Sequence, residues 1–332
     1  MDVPAWLWWA TIIVLVGFLL VDVLIIGRRP HVPTTREVSR DLAFYIGLAV
    51  LFGIGVWVFA GGEYGGEFFA GWLTEYSLSV DNLFVFIIIM TRLQVPRQYQ
   101  QTALLVGIVI ALVMRGIFIA VGAAAINQFS WIFYLFGLFL IWTAYKLVKD
   151  DDLDETQYDE PRIVKFARDH LQATSEWNGV KLFARVNGSR VITPMFIVVL
   201  SLGVTDLLFA LDSIPAIYGL TDEPYLVFTA NVFALMGLRQ LYFLIGDLLK
   251  RLVYLSYGLA VLLAFIGVKL ILHALHENEL PFVNGGEPVH RAPELPIWVS
   301  LMTIVLILGV TTVASLAKDA RDRRNSTESS AG

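Results

Sequence analysis

Cysteine is absent from the 332 residues, which excludes disulfides and thiolate metal sites. Charge is scarce as well. Asp, Glu, Lys and Arg make up 16% of the chain, whereas soluble domains carry about 25%. No nucleotide-binding loop, zinc-protease motif or serine elbow occurs. Leu244-Ile-Gly-Asp247 has the outline of an intramembrane aspartyl protease motif, but it falls at a helix end without a partner acid. The chain is therefore read as no enzyme, with no catalytic residue and no cofactor, and nucleic acid is not an expected partner. The N-terminal Met-Asp-Val-Pro-Ala-Trp lacks a basic region and a nearby small-residue cleavage site, so the first apolar run is expected to stay as a span.

What is abundant is apolar residues. They make up 57% of the chain, with a mean hydropathy of +0.69, and they gather in stretches of the roughly 20 residues a helix needs to cross a bilayer. Nine such stretches are expected as spans: 6–26, 42–60, 68–90, 102–125, 130–148, 191–218, 225–246, 253–274 and 296–317. The fold class is all-α, a polytopic transmembrane helical bundle with the lipid bilayer as its solvent.

The connections alternate in charge. Arg28, Arg29, Arg36, Arg40, Arg92, Arg97, Lys149, Lys250, Arg251, Lys318 and Arg321 lie in one set, and Arg291 is the sole Lys or Arg in the other. Basic residues mark the cytoplasmic side, which puts the N-terminus outside and the C-terminus inside. The expected organisation is an N-terminal span and first cytoplasmic loop (1–34), a first repeat unit (35–148), a cytoplasmic loop (149–190), a second repeat unit with the last span (191–317) and a disordered tail (318–332). The loop opens on an acidic cluster from Asp150 to Glu160, read as a solvated linker. A short surface helix over 163–171 and a hairpin around Asn187-Gly188 follow.

Two of the apolar stretches contain acids. Glu75-Tyr-Ser-Leu-Ser79-Val-Asp81-Asn82 and Asp206-Leu-Leu-Phe-Ala-Leu-Asp212-Ser213 place two carboxylates six positions apart, each second acid followed by a small polar residue. At 100° per residue the polar groups of each stretch share a sector about 160° wide, and its two acids differ by about 9 Å in height. Such a face must look into protein or water. Each stretch precedes a span with one arginine, Arg115 or Arg239. Two such units of opposite direction make an inverted-topology repeat, with a site near the midplane. Placed antiparallel, Glu75 is level with Asp212 and Asp81 with Asp206.

Four carboxylates against two arginines leave an excess of two negative charges, which one divalent cation neutralises. Glu75, Ser79, Asp81, Asn82, Asp206, Asp212 and Ser213 supply hard oxygen ligands suited to Mg²⁺, Ca²⁺ or Mn²⁺. Arg115 and Arg239 are read as counter-charges. Pro215 lacks an N–H and so frees the Leu211 carbonyl beside Asp212 as a further oxygen. The plainer alternative is that acids and arginines only hold helices together. His273, His276 and His290 are read as interface or loop histidines rather than an exit site for metal. Asn231 is placed equally in the pathway or in a helix contact. Gly47, Gly53, Gly55 and Gly71 are expected to permit close helix packing.

With both acidic motifs and the Leu238-Arg239 region in view, the chain resembles the TerC family of bacterial integral membrane proteins from about residue 35 to 315. That resemblance implies a bacterial plasma-membrane protein exporting manganese, with the paired acids as the ion's path. It departs from the family pattern at Gly203, where a glutamate is expected. The reading is a secondary transporter of a divalent cation, Mn²⁺ foremost, alone or as a homo-oligomer or membrane complex. Its alternative is a scaffold in a tellurite or envelope-stress resistance complex.

Overall fold

The computed structural model describes residues 3–28, 33–129, 131–149, 164–165, 174, 177–186, 189–249, 254–276, 278, 284, 287–289, 292–293 and 295–329. Ten helices and one hairpin are defined there: α1 (Ala5–Arg28), α2 (Thr35–Ala60), α3 (Gly62–Arg92), α4 (Arg97–Gln128), α5 (Ile132–Lys149), β1 (Phe183–Val186), β2 (Ser189–Ile192), α6 (Pro194–Tyr218), α7 (Pro224–Met236), α8 (Leu238–Leu249), α9 (Leu255–His276) and α10 (Ile297–Ser329). Among the described residues, eight spans are long and apolar enough to cross a membrane, α7 and α8 counting together as one. The 24-residue α1 adds the N-terminal helix expected from the sequence, its stretch Ala5–Phe18 forming a shorter apolar segment. The protein is a multi-pass, all-α membrane bundle.

Helix starts follow local chemistry. At α2, Thr34 accepts from the Glu37 amide while Glu37 bonds back to the Thr34 amide, a reciprocal capping box. At α6, Thr193 caps and Pro194 takes the first turn, where its missing N–H costs nothing. The span expected from 191 therefore starts at Pro194, because Val191 and Ile192 belong to the hairpin. That hairpin has the expected place, with Phe183 opposite Ile192 and Val186 opposite Ser189. The expected turn residues Asn187-Gly188 lie outside the described residues, as do the acidic cluster and all of the 163–171 segment except Val164 and Lys165, both helical.

α3 is the central element, packed against α2, α6, α7, α8, α9 and α10. Its contacts with α6 set a register. Gly71 faces Ile217, whose Cγ2 lies 3.2 Å from where a Cβ would stand, and Glu67 Oε2 accepts from Thr221 Oγ1 at 2.6 Å. The two helices thus run antiparallel. Outward faces of α1, α2 and α10 present Ile13, Leu51, Phe59, Met302, Leu306 and Val313 to the surroundings. In a spanning helix this apolar exposure is the lipid contact.

Two expectations are corrected and one is refined. The span over 225–246 stands as one, Pro224–Leu244, with its helix interrupted at Gly237, α7 ending at Met236 and α8 starting at Leu238. The tail from Lys318 is not disordered up to Ser329: it continues α10, since Ala, Lys, Arg and Glu are sound helix formers. Of the glycines expected at close contacts, Gly47 and Gly55 face open space, while Gly53 and Gly71 meet Phe69 and Ile217. The tightest approach to another helix's backbone is elsewhere. A Cβ on Gly137 of α5 would lie 2.7 Å from the Gly267 carbonyl of α9, and one on Gly267 2.8 Å from the Gly137 carbonyl.

Candidate functional site

The α3–α6 register brings the two acidic motifs to one place. Glu75 and Ser79, on the face of α3 turned inward, are wholly buried, and Asp206 and Ser213 of α6 nearly so. Between them lies the Arg115 side chain of α4, 1% exposed. Its Nε and Nη2 donate to Asp206 Oδ2 and Oδ1 at 3.0 and 3.2 Å, a two-point grip on one carboxylate. Its Nη1 donates to Glu75 Oε1, to Ser213 Oγ at 3.2 Å and to Asn231 Oδ1 of α7 at 2.9 Å. Ser79 Oγ donates to Glu75 Oε1 at 3.4 Å. One guanidinium thus ties α4 to α3, α6 and α7.

Asn231 is fixed in turn, its Nδ2 donating to the Val227 carbonyl at 3.0 Å. That leaves its oxygen aimed at Arg115. The sequence marked Asn231 as polar in an apolar span; the structure puts it in the cluster.

The arrangement is not closed. Among the described residues, Glu75 Oε2 and Asp212 Oδ1 are buried carboxylate oxygens with no hydrogen-bond partner. Asp212 lies within electrostatic range of Glu75, Arg115 and Asp81. Buried acceptors are normally satisfied, so these two oxygens are the ones in the cluster that could take a proton or a cation. Pro215 sits inside α6, one turn after Leu211, whose carbonyl loses its helical donor there. Asp81 and Asn82 lie beyond the Arg115 contacts on α3, half-buried and buried.

Arg239, expected as the second counter-charge, is at the start of α8 beyond the Gly237 break, lining a separate cavity with Glu37, Asp41 and Gln101. Gly203 faces Ile110 of α4, a Cβ there meeting its Cγ2 at 3.3 Å. This position is a helix contact.

A second polar region surrounds the α6–α7 connection. A cavity of about 410 Å³ is lined there by Glu63, Glu67, Asp222, Lys269 and His273. His273 lies 3.9 Å from Asp222 Oδ2 and packs edge-on against Phe133, ring centroids 4.9 Å apart. His290 lies outside the described residues. Among the described residues, no three His, Asp or Glu side chains converge as a ready metal-ligand set, either here or around Arg115.

Comparison with known proteins agrees with a multi-pass membrane protein. The profile described as "Integral membrane protein TerC family" matches residues 60–323. An uncharacterised membrane protein of Mycobacterium tuberculosis is 49% identical over 311 residues, covering 93% of this chain and 78% of its own. One from Myxococcus xanthus is 37% identical over 312 residues, covering 94% and 92%. A protein of Escherichia coli named "Putative membrane-bound redox modulator Alx" is 36% identical over 275 residues, covering 80% of this chain and 85% of its own. No solved structure matches the chain.

Proposed function

The chain belongs to the TerC family of integral membrane proteins, and from that membership we propose that it is a secondary transporter that exports a divalent cation, manganese foremost. In this reading the N-terminus is outside, the C-terminus is cytoplasmic, and α3 and α6 are the corresponding helices of an inverted repeat in a bacterial plasma membrane.

The observation that carries the reading is the pair of unpartnered carboxylate oxygens, Glu75 Oε2 and Asp212 Oδ1, beside Arg115. With Glu75, Asp206 and Asp212 ionised against one guanidinium, two negative charges are in excess. Held in low dielectric, that excess is costly, and one divalent cation neutralises it. Carboxylates with Ser79, Ser213 and the Leu211 carbonyl nearby offer hard oxygens for such an ion. Among the described residues no preformed three-ligand cluster exists in this conformation, so binding requires Asp212, Asp81 and Glu75 to close on the ion. Transport sites do this when ions must both enter and leave.

The redox-modulator name of the Alx relatives suggests another activity. A chain without cysteine has no thiol–disulfide couple of its own, so a redox effect here would run through the metal it moves. The scaffold alternative accounts for the Arg115 grip on Asp206 but gives no role to the open Asp212 oxygen.

The test is cellular manganese, measured by elemental mass spectrometry under manganese load, in cells lacking or overproducing the protein. Lower content on overproduction and higher content on deletion are expected. Equal content in all three strains overturns the proposal.

A further inference from the structure

The cavity at Arg239 is lined by none of the four motif acids of α3 and α6. It measures about 400 Å³, opens between α1 and α2, and contains both signs of charge. Its inner wall is Arg239, 4% exposed, with Gln101 and Gln240, which are 6% and 2% exposed. In the amide orientation that satisfies both ends, Gln240 donates to the Met236 carbonyl at 3.1 Å and accepts from Arg239 Nη2 at 2.7 Å, holding the guanidinium in place. Gln101 Oε1 is buried and finds no hydrogen-bond partner among the described residues. The acids Glu37 and Asp41 stand at the outer rim, half-buried, with Arg40 at 3.0 Å from Asp41.

Directly along the same two helices runs a second hollow of about 390 Å³. It is apolar, lined by Val14 and Leu15 of α1, Leu48 and Leu51 of α2, and Phe233 of α7. At 100° per residue the α1 residues that line the two hollows, from Ala10 to Val21, share a sector of about 140°. Those of α2, from Glu37 to Phe52, recur at helical spacing in the same way, so the hollows form one groove. The Phe18–Phe44 ring pair, 5.9 Å between centroids, marks their junction. α1 is a fixed wall: Trp8 packs on Tyr225 at 5.0 Å, and Thr11 hydrogen-bonds its hydroxyl at 2.8 Å.

From Glu37 to Phe52 the groove is about 22 Å long at 1.5 Å per residue. One leaflet with its headgroup layer is about 20–22 Å, half of a 40–45 Å bilayer. A groove charged at one end, apolar at the other, open to lipid and one leaflet deep matches a phospholipid. The order of charges further restricts the headgroup. A buried guanidinium prefers phosphate, and the acids lie outboard of it, where a terminal ammonium stands.

We propose that the α1–α2 groove binds one phospholipid with a primary-ammonium headgroup, phosphate at Arg239, ammonium toward Glu37 and Asp41, and an acyl chain along Val14, Leu48 and Leu51. Asp41 and Glu37 exclude a purely anionic headgroup, and a trimethylammonium has no N–H to donate to them. The Gln101 amide supplies the remaining polar contact.

Native mass spectrometry of the full-length, delipidated protein tests this with dioleoyl phosphatidylethanolamine, phosphatidylcholine, phosphatidylglycerol and inorganic phosphate as separate probes. One phosphatidylethanolamine is expected to be retained at least fivefold more tightly than either other lipid. Arg239→Gln should lower that retention at least fivefold. Because Arg239 is buried and its loss can impair folding, Leu48→Trp, which fills the apolar half from an accessible position, should do the same. Leu306→Trp on the outer face of α10 should leave retention unchanged. Equal retention of the three lipids, preference for phosphatidylglycerol, or indifference to both groove variants would show an ordinary boundary lipid and overturn the proposal. Binding of inorganic phosphate at the same strength would overturn it in favour of a free-anion site.

Discussion

Arg115→Met is the perturbation that most directly probes the centre of the bundle. The wild-type guanidinium makes five polar contacts to four side chains on three other helices. Deleting it leaves Glu75 and Asp206 buried without a counter-charge, and breaking a buried pair in this way costs about 3–5 kcal/mol. Replacing all members of a buried ionic cluster by neutral groups is, by contrast, close to neutral. Adding Glu75→Gln and Asp206→Asn to Arg115→Met should therefore recover at least half of the loss, although two more residues are altered. Arg115→Lys should fall between, because an ammonium keeps the charge but cannot grip Asp206 at two points while reaching Glu75. The assay is reversible unfolding in mixed micelles titrated with SDS, followed by far-ultraviolet circular dichroism. If Arg115→Met unfolds within about 1 kcal/mol of wild type, or the triple variant is no more stable than the single one, burial of uncompensated charge is not what the arginine prevents.

Gly137→Ala and Gly267→Ala each drive a methyl into the opposing carbonyl at 2.7 and 2.8 Å, and in the same titration each should cost about 1–3 kcal/mol. Gly47→Ala, with open space around it, should be neutral or slightly stabilising. Asp212→Asn and Asp81→Asn should insert and fold normally yet abolish protection against manganese, read as growth under manganese load; full tolerance in both would leave the acids a structural role. Reporter fusions at Glu63 and Thr156 should read external and cytoplasmic respectively, and finding both on one side would remove the inverted repeat.

Much of the fold was legible in sequence because its signals are local. Hydropathy over about 20 residues identifies spans whatever their neighbours, and the Asn-Gly flanked by alternating residues placed the hairpin. The six-residue spacing of the acids gave each helix its polar face, and assuming antiparallel helices put Glu75 level with Asp212. The Gly71–Ile217 and Glu67–Thr221 contacts show the antiparallel arrangement, one residue displaced, with Glu75 level with Ser213.

What the sequence could not determine is which groups of different helices meet, because that depends on helix rotation and on breaks in the chain. Arg115 and Arg239 stand in similar sequence, yet Arg115 lies between two carboxylates of α3 and α6 while Arg239 lines a cavity beside α1 and α2. Asn231 was equally consistent with a contact or a pathway until α7 was docked and its oxygen met Arg115 at 2.9 Å. The glycines divide in the same way. Composition alone ranks Gly47 with Gly137, and only the crossing of α5 with α9 shows which one a methyl group would force apart. Sequence decided which segments are helical and which of their faces are polar, since both follow from the period of one chain. Tertiary structure decided the partners of each charge, since a buried ion is stabilised by atoms that its own helix does not supply.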